Sequence, residues 1–214
     1  MSIQPTILVS FVQSKVISVK EFFNIDPRGY SENPKKLIYE AAINNKETGS
    51  STMVVVTIQQ KNKKLRTAMI GDSGYMLLRQ VEENGRKLYQ NIYKSKEQQH
   101  SFNFPFQIGT NGDAPDKSIA NKHDIKKKDI VILGTDGLFD NVYPEDLEKL
   151  VNNVVKDDKY DSAELAKAIA EEAFRLSLDT VNMSPFGQNA RNAGMRFDGG
   201  KSDDITVVVG RIEE

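Results

Sequence analysis

The stretch from Ile130 to Asn141, IVILGTDGLFDN, constrains the fold of this chain more than any other. It begins with four apolar residues, three of them β-branched, between Asp129 and Gly134, which is the pattern of a short buried strand. At the expected end of that strand lies Asp136, with glycines nearby that let backbone or an ion come close. A second carboxylate, Asp140, follows one helical turn later. The stretch therefore predicts a strand, an acidic turn and the start of a helix.

Size and composition narrow the class of protein. With 214 residues, 38% of them apolar and 28% charged, the chain is predicted to form one globular domain over residues 1–214. A net charge of −1 gives no general attraction for nucleic acid or for a membrane surface. The lack of cysteine excludes disulfides, thiolate zinc sites and a cysteine nucleophile, and it favours an intracellular protein. No apolar run reaches the ~20 residues that a membrane-spanning helix needs.

The first half of the chain is predicted to be mostly β-structure after a short helix. A strand pair is expected within Met1 to Lys20, although the serines and lysines there also resemble an organelle transit peptide. A helix is predicted from its N-cap, Asn33, to about Asn45. An antiparallel meander is predicted from strands at residues 50–59, 65–70, 75–81 and 88–93. The segment 98–123 has little periodicity and is predicted to be a long surface connection.

The second half is predicted to be helical before a final strand. Apolar stripes indicate one helix from Pro144 and another from a cap at Asp161 or Ser162 to about Leu178. A loop containing Ser184-Pro185-Phe186 and a flexible Gly199-Gly200 pair is expected next. The chain is then predicted to close on a strand from Ile205 to Ile212.

Acidic turns beside the predicted strand ends are the main candidates for chemistry. They are Asp72 in GDSG, Asp136 and Asp140 in TDGLFDN, and Asp203-Asp204 in GKSDDITVVV. Any one of them alone is most simply explained as a helix cap or a loop stabiliser. If the strands lie side by side, however, the carboxylates converge, and such a concentration of negative charge requires cations. All-oxygen ligation selects Mg²⁺ or Mn²⁺ rather than Zn²⁺. Two such ions ~3.5–4 Å apart would support hydrolysis of a phosphate ester by an activated water.

Other chemistries fit the sequence less well. Dehalogenase-like phosphatases also place an aspartate after an apolar strand, but they need a second one two residues away, and Gly134 occupies that spacing from Asp136. His100 could act as an acid toward a leaving group, and the simpler interpretation is a hydrogen-bonded loop histidine. His123 is predicted to be a solvated turn residue. The Ser184-Pro185-Phe186 segment either lines a substrate or packs one aromatic ring.

The motifs GDSG, TDGLFDN and GKSDDITVVV, in this order, resemble those of the metal-dependent, type 2C serine/threonine protein phosphatases. The pieces GSSTMVVV, EQQHSFNFPFQ and MSPFGQNA are more narrowly similar to the mitochondrial branch of that family. The resemblance runs from about Ile38 to the end. It implies an α+β fold of two packed antiparallel β-sheets flanked by helices, and hydrolysis of phosphoserine and phosphothreonine in proteins by a metal-activated water. It also implies a phosphoprotein substrate and a mitochondrial location, and it leaves the oligomeric state open.

The same resemblance assigns roles to individual acids. Asp136 and Asp203 match the ligands of the family's binuclear Mg²⁺ or Mn²⁺ centre. Asp72 and Asp140 match the acids associated with a third, weaker metal position. Asp204 matches a position beside a ligand and is not counted as a ligand.

The chain departs from the family pattern near its start. Family members carry a DG-x-GG turn whose aspartate bridges both metal ions, and the segment Asp26-Pro27-Arg28-Gly29 has proline where the glycine should be. The family's phosphate-holding arginine has no evident counterpart either. A missing bridging carboxylate weakens metal binding. Two hypotheses follow: an active phosphatase whose first part, including strands of its sheets, is missing from this sequence, or a catalytically impaired, phosphatase-like binding or regulatory protein.

Overall fold

The computed structural model describes residues 6–12, 15–17, 32–46, 48–59, 62–156 and 160–213. They form antiparallel sheets flanked by helices, so the predicted α+β class is confirmed. The chain makes two compact units, one comprising Met1–Ser73 and Glu97–Lys126, the other Gly74–Lys96 and Lys127–Glu213. A single domain over residues 1–214 stays a prediction. Among the described residues, no helix has the length and apolar character to cross a membrane.

A five-stranded sheet dominates the first unit. Its strands are β1 (Thr6–Val12), β2 (Lys15–Ile17), β4 (Met53–Gln59), β5 (Lys64–Ile70) and β11 (Ile119–Asp124), and every neighbouring pair in the order β11-β5-β4-β1-β2 is antiparallel. Two short ladders join β3 (Ser50–Ser51) to β10 (Ile108–Gly109) and β8 (Gln99–Ser101) to β9 (Phe104–Pro105). Every residue of β4 is buried, including the polar Thr57 and Gln59 that follow its apolar first half.

One helix, α1 (Pro34–Asn44), packs in the first unit. The side chain of Asn33 accepts a hydrogen bond from the backbone N–H of Lys36, which confirms the predicted N-cap. The apolar side of α1 is buried in a core made with side chains of the strands. Its members are Leu37, Ile38, Ala41, Met53, Val55, Ala68, Ile70 and Ile108.

The second unit is built on a four-stranded sheet with helices. Its strands are β6 (Gly74–Glu83), β7 (Arg86–Lys94), β12 (Ile130–Gly134) and β13 (Val207–Arg211), ordered β13-β12-β6-β7 and antiparallel throughout. Its helices are α2 (Asp136–Phe139), α3 (Pro144–Val154), α4 (Ser162–Ser177) and α5 (Pro185–Asn192). The core joins the sheet to the helices through Met76, Leu78, Tyr89, Ile130, Ile132, Leu138, Phe139, Val142, Leu147, Val151, Leu165, Ile169 and Ala173.

The predicted four-strand meander is wrong in its pairing. β4 and β5 lie in the first sheet, whereas β6 and β7 lie in the second, and the predicted strand at residues 50–59 is split at Thr52 into β3 and β4. The order differs because β6 pairs with the distant strand β12 and β5 pairs with β11. Local hydrophobic pattern identifies a strand, but the partner depends on which faces are buried in the fold.

Two further expectations also need correction. The segment 98–123 is not a structureless connection, because it contains four strands, and the six residues of β11 pair with β5. β11 is polar because it is an edge strand with mostly exposed side chains. His123 lies on that strand, is half-buried and has its pKa lowered by burial, so it is not a solvated turn residue.

The predicted loop after α4 is also wrong, since Ser184 caps the helix α5 with a hydrogen bond from the N–H of Gly187. Gly199 and Gly200 do not form a flexible pair. The backbone at Gly200 lies so close to α4 that an added Cβ would be 2.0 Å from the carbonyl oxygen of Leu176. The Asp26-Pro27-Arg28-Gly29 segment lies outside the described residues.

Candidate metal centre

The carboxylates of the second unit converge where β12 ends. All five residues of β12 are buried, and at its last residue, Gly134, the strand pairs with Gly74 of β6 and Val207 of β13. Helix α2 begins two residues later with Asp136, whose Oδ1 accepts a hydrogen bond from the N–H of Gly137. The predicted strand, acidic turn and helix start are therefore confirmed.

The segment before β13 is held against the start of α2. The hydroxyl of Thr135 donates to the carbonyl oxygen of Asp204 at 2.9 Å, and the N–H of Thr206 donates to the same hydroxyl at 3.1 Å. Gly137 permits this close approach, because an added Cβ would lie 2.5 Å from the Asp204 carbonyl oxygen. These contacts bring Asp203 toward Asp136, although the two residues are far apart in sequence.

The three acids of this site share one cation, the side-chain ammonium of Lys201. Its Nζ lies 2.9 Å from Oδ2 of Asp136, 2.7 Å from Oδ2 of Asp140 and 2.9 Å from Oδ2 of Asp203. Only 16% of the Lys201 side chain is exposed to solvent. Among the predicted ligands, the structure thus brings together Asp136, Asp140 and Asp203.

The ion pairs shift the pKa values of Lys201 and Asp203. Burial by itself would lower the pKa of Lys201, but the charge of Asp140 and hydrogen bonds to all three acids outweigh it and raise the pKa well above its usual range. Burial would likewise raise the pKa of Asp203, but hydrogen bonds from Lys201 and from the N–H of Asp204 lower it. Lys201 is therefore protonated and Asp203 is ionised at neutral pH.

Two further residues hold Lys201 in place. The side-chain amide of Asn141 donates to the carbonyl oxygen of Lys201 at 2.9 Å, and its Oδ1 accepts from the N–H of Lys201 at the same distance. Asn141 is buried and also donates to the carbonyl oxygen of Gly137. The Lys201 ammonium lies 5.0 Å from the ring centre of Phe186, whose N–H donates to the carbonyl oxygen of Asp140. Backbone and head group of Lys201 are thus both positioned.

The donor chemistry of this cluster fits a hard divalent cation. Three carboxylate oxygens already surround one positive charge, and oxygen ligands of this kind are those that Mg²⁺ and Mn²⁺ prefer. As arranged, however, no three acidic or histidine side chains within the described ranges are grouped to hold a metal ion, and these acids hold Lys201 instead. Three protein ligands are also fewer than the six that Mg²⁺ takes, and water or further groups would supply the rest.

The remaining predicted ligand, Asp72, belongs to the first unit. It is buried and is followed by Ser73, whose hydroxyl is 2.7 Å from the hydroxyl of Thr52. Its role as a ligand of a weaker metal position stays a prediction. Asp204 contacts the site through its backbone, since its N–H donates to Oδ1 of Asp203. Asp204 is still not counted as a ligand.

His100 lies on the short strand β8 rather than in a loop, and it is hydrogen-bonded, as the simpler interpretation held. Its Nε2 lies 3.0 Å from Oδ2 of Asp113, and its ring stacks at 4.1 Å on Phe106. Asp113 also accepts from Lys117 and from the N–H of Gln107. These contacts join β8 to the segment around Asp113.

Lys201 and Asn141 are the site residues that sequence reasoning missed. Both lie inside motifs that had been singled out, Asn141 at the end of TDGLFDN and Lys201 two residues before Asp203. The lysine in GKSDD could have been recognised as a site residue, because carboxylates that are removed from water need a counter-charge. Nothing in the sequence indicates that Asn141 would bond the backbone of Lys201.

Curated proteins similar to this chain are described as protein phosphatases. The protein phosphatase PTC7 homolog of Danio rerio is 37% identical over 180 residues, which is 78% of this chain and 56% of the relative. The probable protein phosphatase 2C 55 of Arabidopsis thaliana is 36% identical over 86% of this chain and 37% of its own length. The chain thus spans about half or less of the curated relatives it matches.

A solved structure shares the fold. The X-ray structure of the photosystem II phosphatase PBCP is 25% identical, with a TM-score of 0.76 over 91% of this chain and 76% of that one. No protein-family model matches the chain.

Proposed function

Because this chain belongs to the type 2C, metal-dependent protein phosphatase family, we propose that it hydrolyses phosphoserine and phosphothreonine in proteins. The observation that carries the proposal is the convergence of Asp136, Asp140 and Asp203 on a single cation. Bound Mg²⁺ or Mn²⁺ would supply a water of lowered pKa and would polarise the phosphoryl group.

Within this proposal, Asp136 and Asp203 would hold the ions, and Asp140 would support a weaker metal position. The N–H groups of Gly137 and Asp204 orient the carboxylates of Asp136 and Asp203 through hydrogen bonds of 2.9 and 2.8 Å. Such supporting bonds keep ligand oxygens pointed at the ion and maintain their charge. The number of ions stays open, and a mitochondrial location stays a prediction from the family branch.

A phosphopeptide assay tests the proposal. Hydrolysis by this 214-residue chain is measured while Mn²⁺ is raised from micromolar to tens of millimolar. We expect metal-dependent release of phosphate from phosphoserine and phosphothreonine peptides, and its loss by about a hundred-fold or more in Asp136→Asn, because one ligand charge is removed.

Asp146→Asn is the matched control, because Asp146 lies in the same unit and forms an exposed pair with Lys149. This variant should retain the wild-type rate. Equal activity of the Asp136→Asn and Asp146→Asn proteins would contradict the assignment of the site.

A binding protein without turnover is the second candidate. Its specific support is that the carboxylates of the cluster contact a lysine and that, among the described residues, no three acidic or histidine side chains are grouped to hold a metal ion. In that case a folded chain would bind phosphopeptides without releasing phosphate at any Mn²⁺ concentration. The same assay, combined with a binding measurement on the same peptide, separates the two candidates.

A further inference from the structure

Lys201, at the centre of the acidic cluster, places a positive charge among the predicted metal ligands. Lys201 touches one oxygen of each of Asp136, Asp140 and Asp203 at 2.7 to 2.9 Å. These are short, charge-assisted hydrogen bonds, and the ammonium has three N–H donors, one for each acid. The ammonium is therefore fully used by the cluster.

A divalent ion and this ammonium compete for the same oxygens. Mg²⁺ binds oxygen at about 2.0–2.1 Å and carries twice the charge of the ammonium. An ammonium in contact with the ligand oxygens would repel that ion strongly, because two cations a few ångströms apart interact unfavourably in a partly buried site. Entry of the ion at these acids requires the head group of Lys201 to leave.

The surroundings of Lys201 allow its head group to move while its backbone stays fixed. Asn141 holds both backbone polar groups of Lys201, so the main chain remains in place. The side chain has a flexible four-carbon stem, and the ring of Phe186, 5.0 Å from Nζ, is an existing contact for the cation that does not involve the carboxylates.

We propose that Lys201 is an internal counter-ion of the carboxylate cluster and that Mg²⁺ or Mn²⁺ binds by displacing its ammonium. Lys201 then stabilises the metal-free chain and lowers its affinity for metal. The inference rests on the metal site of the proposed function, but its test does not depend on turnover.

The test compares Mn²⁺ affinity by calorimetry for the wild-type chain, Lys201→Met and Lys201→Arg. Removing the charge should tighten Mn²⁺ binding by about 5- to 150-fold, the usual range of coupling between two ligands. Arginine keeps the charge, so Lys201→Arg should bind Mn²⁺ more weakly than Lys201→Met. Lys149→Met is the matched control, because Lys149 is an exposed lysine of the same unit paired with a single acid, and its affinity should equal the wild-type value.

Thermal melting gives a second measurement. In EDTA, Lys201→Met should melt below the wild type, because three carboxylates lose their shared counter-charge. Saturating Mn²⁺ should close or reverse that difference, since the ion replaces the missing charge. A difference that stays unchanged on adding Mn²⁺ would overturn the proposal.

The other outcomes are also decisive. Equal or weaker Mn²⁺ binding by Lys201→Met would show that Lys201 does not compete with the metal, and the inference would be wrong. If neither protein binds Mn²⁺, the inference and the proposed metal site fail together. Tight Mn²⁺ binding without hydrolysis would count against the proposed function alone, and the comparison of affinities would still decide the role of Lys201.

Discussion

The side chain of Asp129 is 1% exposed, and its carboxylate forms a bidentate ion pair with Arg79. Nε of Arg79 donates to Oδ1 at 3.0 Å and a terminal nitrogen donates to Oδ2 at 2.6 Å. Burying these charges is costly, and their mutual attraction offsets the cost only while both are present. Asp129 lies directly before β12, the strand that leads to the candidate metal centre.

Asp129→Asn should lower the free energy of unfolding by about 3–5 kcal/mol, because it leaves the guanidinium without its charge partner. Urea unfolding followed by circular dichroism measures this change. Asp146→Asn, which breaks an exposed pair with Lys149, should cost less than about 1 kcal/mol. If both variants lowered the free energy of unfolding by the same amount, the buried pair of Asp129 with Arg79 would contribute no more to stability than the exposed pair of Asp146 with Lys149.

Asp113 makes the stability of the first unit depend on pH. Burial would raise its pKa, but hydrogen bonds from Lys117, His100 and the N–H of Gln107 prevail and lower it from 3.8 to about 2. Because the folded-state pKa is depressed, the carboxylate stabilises the fold above about pH 4. That contribution is lost as the pH falls from about 4 to about 2.

Asp113→Asn should therefore destabilise the protein at pH 7 by about 1 kcal/mol, and the difference from the wild type should shrink toward pH 2. Melting temperatures measured at several pH values check this. Asp116→Asn, a change at an exposed neighbouring acid, is the control and should show little effect at either pH. A difference between Asp113→Asn and the wild type that stays constant down to pH 2 would rule out the assigned ion pairs.

At the scale of elements, the contact between α2 and the segment before β13 assembles the candidate metal centre. It depends on Gly137, where a side chain would collide with the carbonyl oxygen of Asp204 and approach Ile205 to 3.1 Å. Thr135 and Asn141, at the two ends of α2, hydrogen-bond the same segment. A four-residue helix is thereby fixed by its neighbours rather than by its own length.

Gly137→Ala places two effects in opposition. Alanine favours helix by about 1 kcal/mol over glycine, whereas the collision forces the Asp204 backbone to shift at a cost of about 1–3 kcal/mol. We expect net destabilisation in urea unfolding and weaker Mn²⁺ binding, because Asp203 moves with that backbone. Gly187→Ala in α5 gains the same helix propensity and meets milder contacts, the flexible side chain of Met183 at 3.0 Å and the carbonyl oxygen of Phe197 at 3.2 Å, so it should cost less than Gly137→Ala. A stabilised Gly137→Ala protein would disprove the close approach.

At the scale of the whole molecule, the sequence pattern predicted most elements and their class, but not how strands are distributed between sheets. The buried strand β12 and the part of β4 over residues 53–56 are continuous apolar runs and are recognisable without a partner. β11 was missed because edge strands keep polar side chains in water, and α5 was missed because it is only eight residues long and mostly polar. Helix α5 still carries two sequence features that indicate its start, Ser184 as cap and Pro185 in the first turn.

The sequence by itself determined which side chains carry charge at the candidate centre, because the motifs TDGLFDN and GKSDD place their acids at the ends of predicted strands. Only the tertiary structure decided that Asp136, Asp140 and Asp203 share Lys201, and that Asn141 holds the backbone of that lysine. The physical reason is distance along the chain. Asp140 and Lys201 are 61 residues apart, and their contact depends on the pairing of β12 with β13 and on the space left by Gly137. Local preferences specify elements, whereas long-range pairing and close packing determine which charges meet.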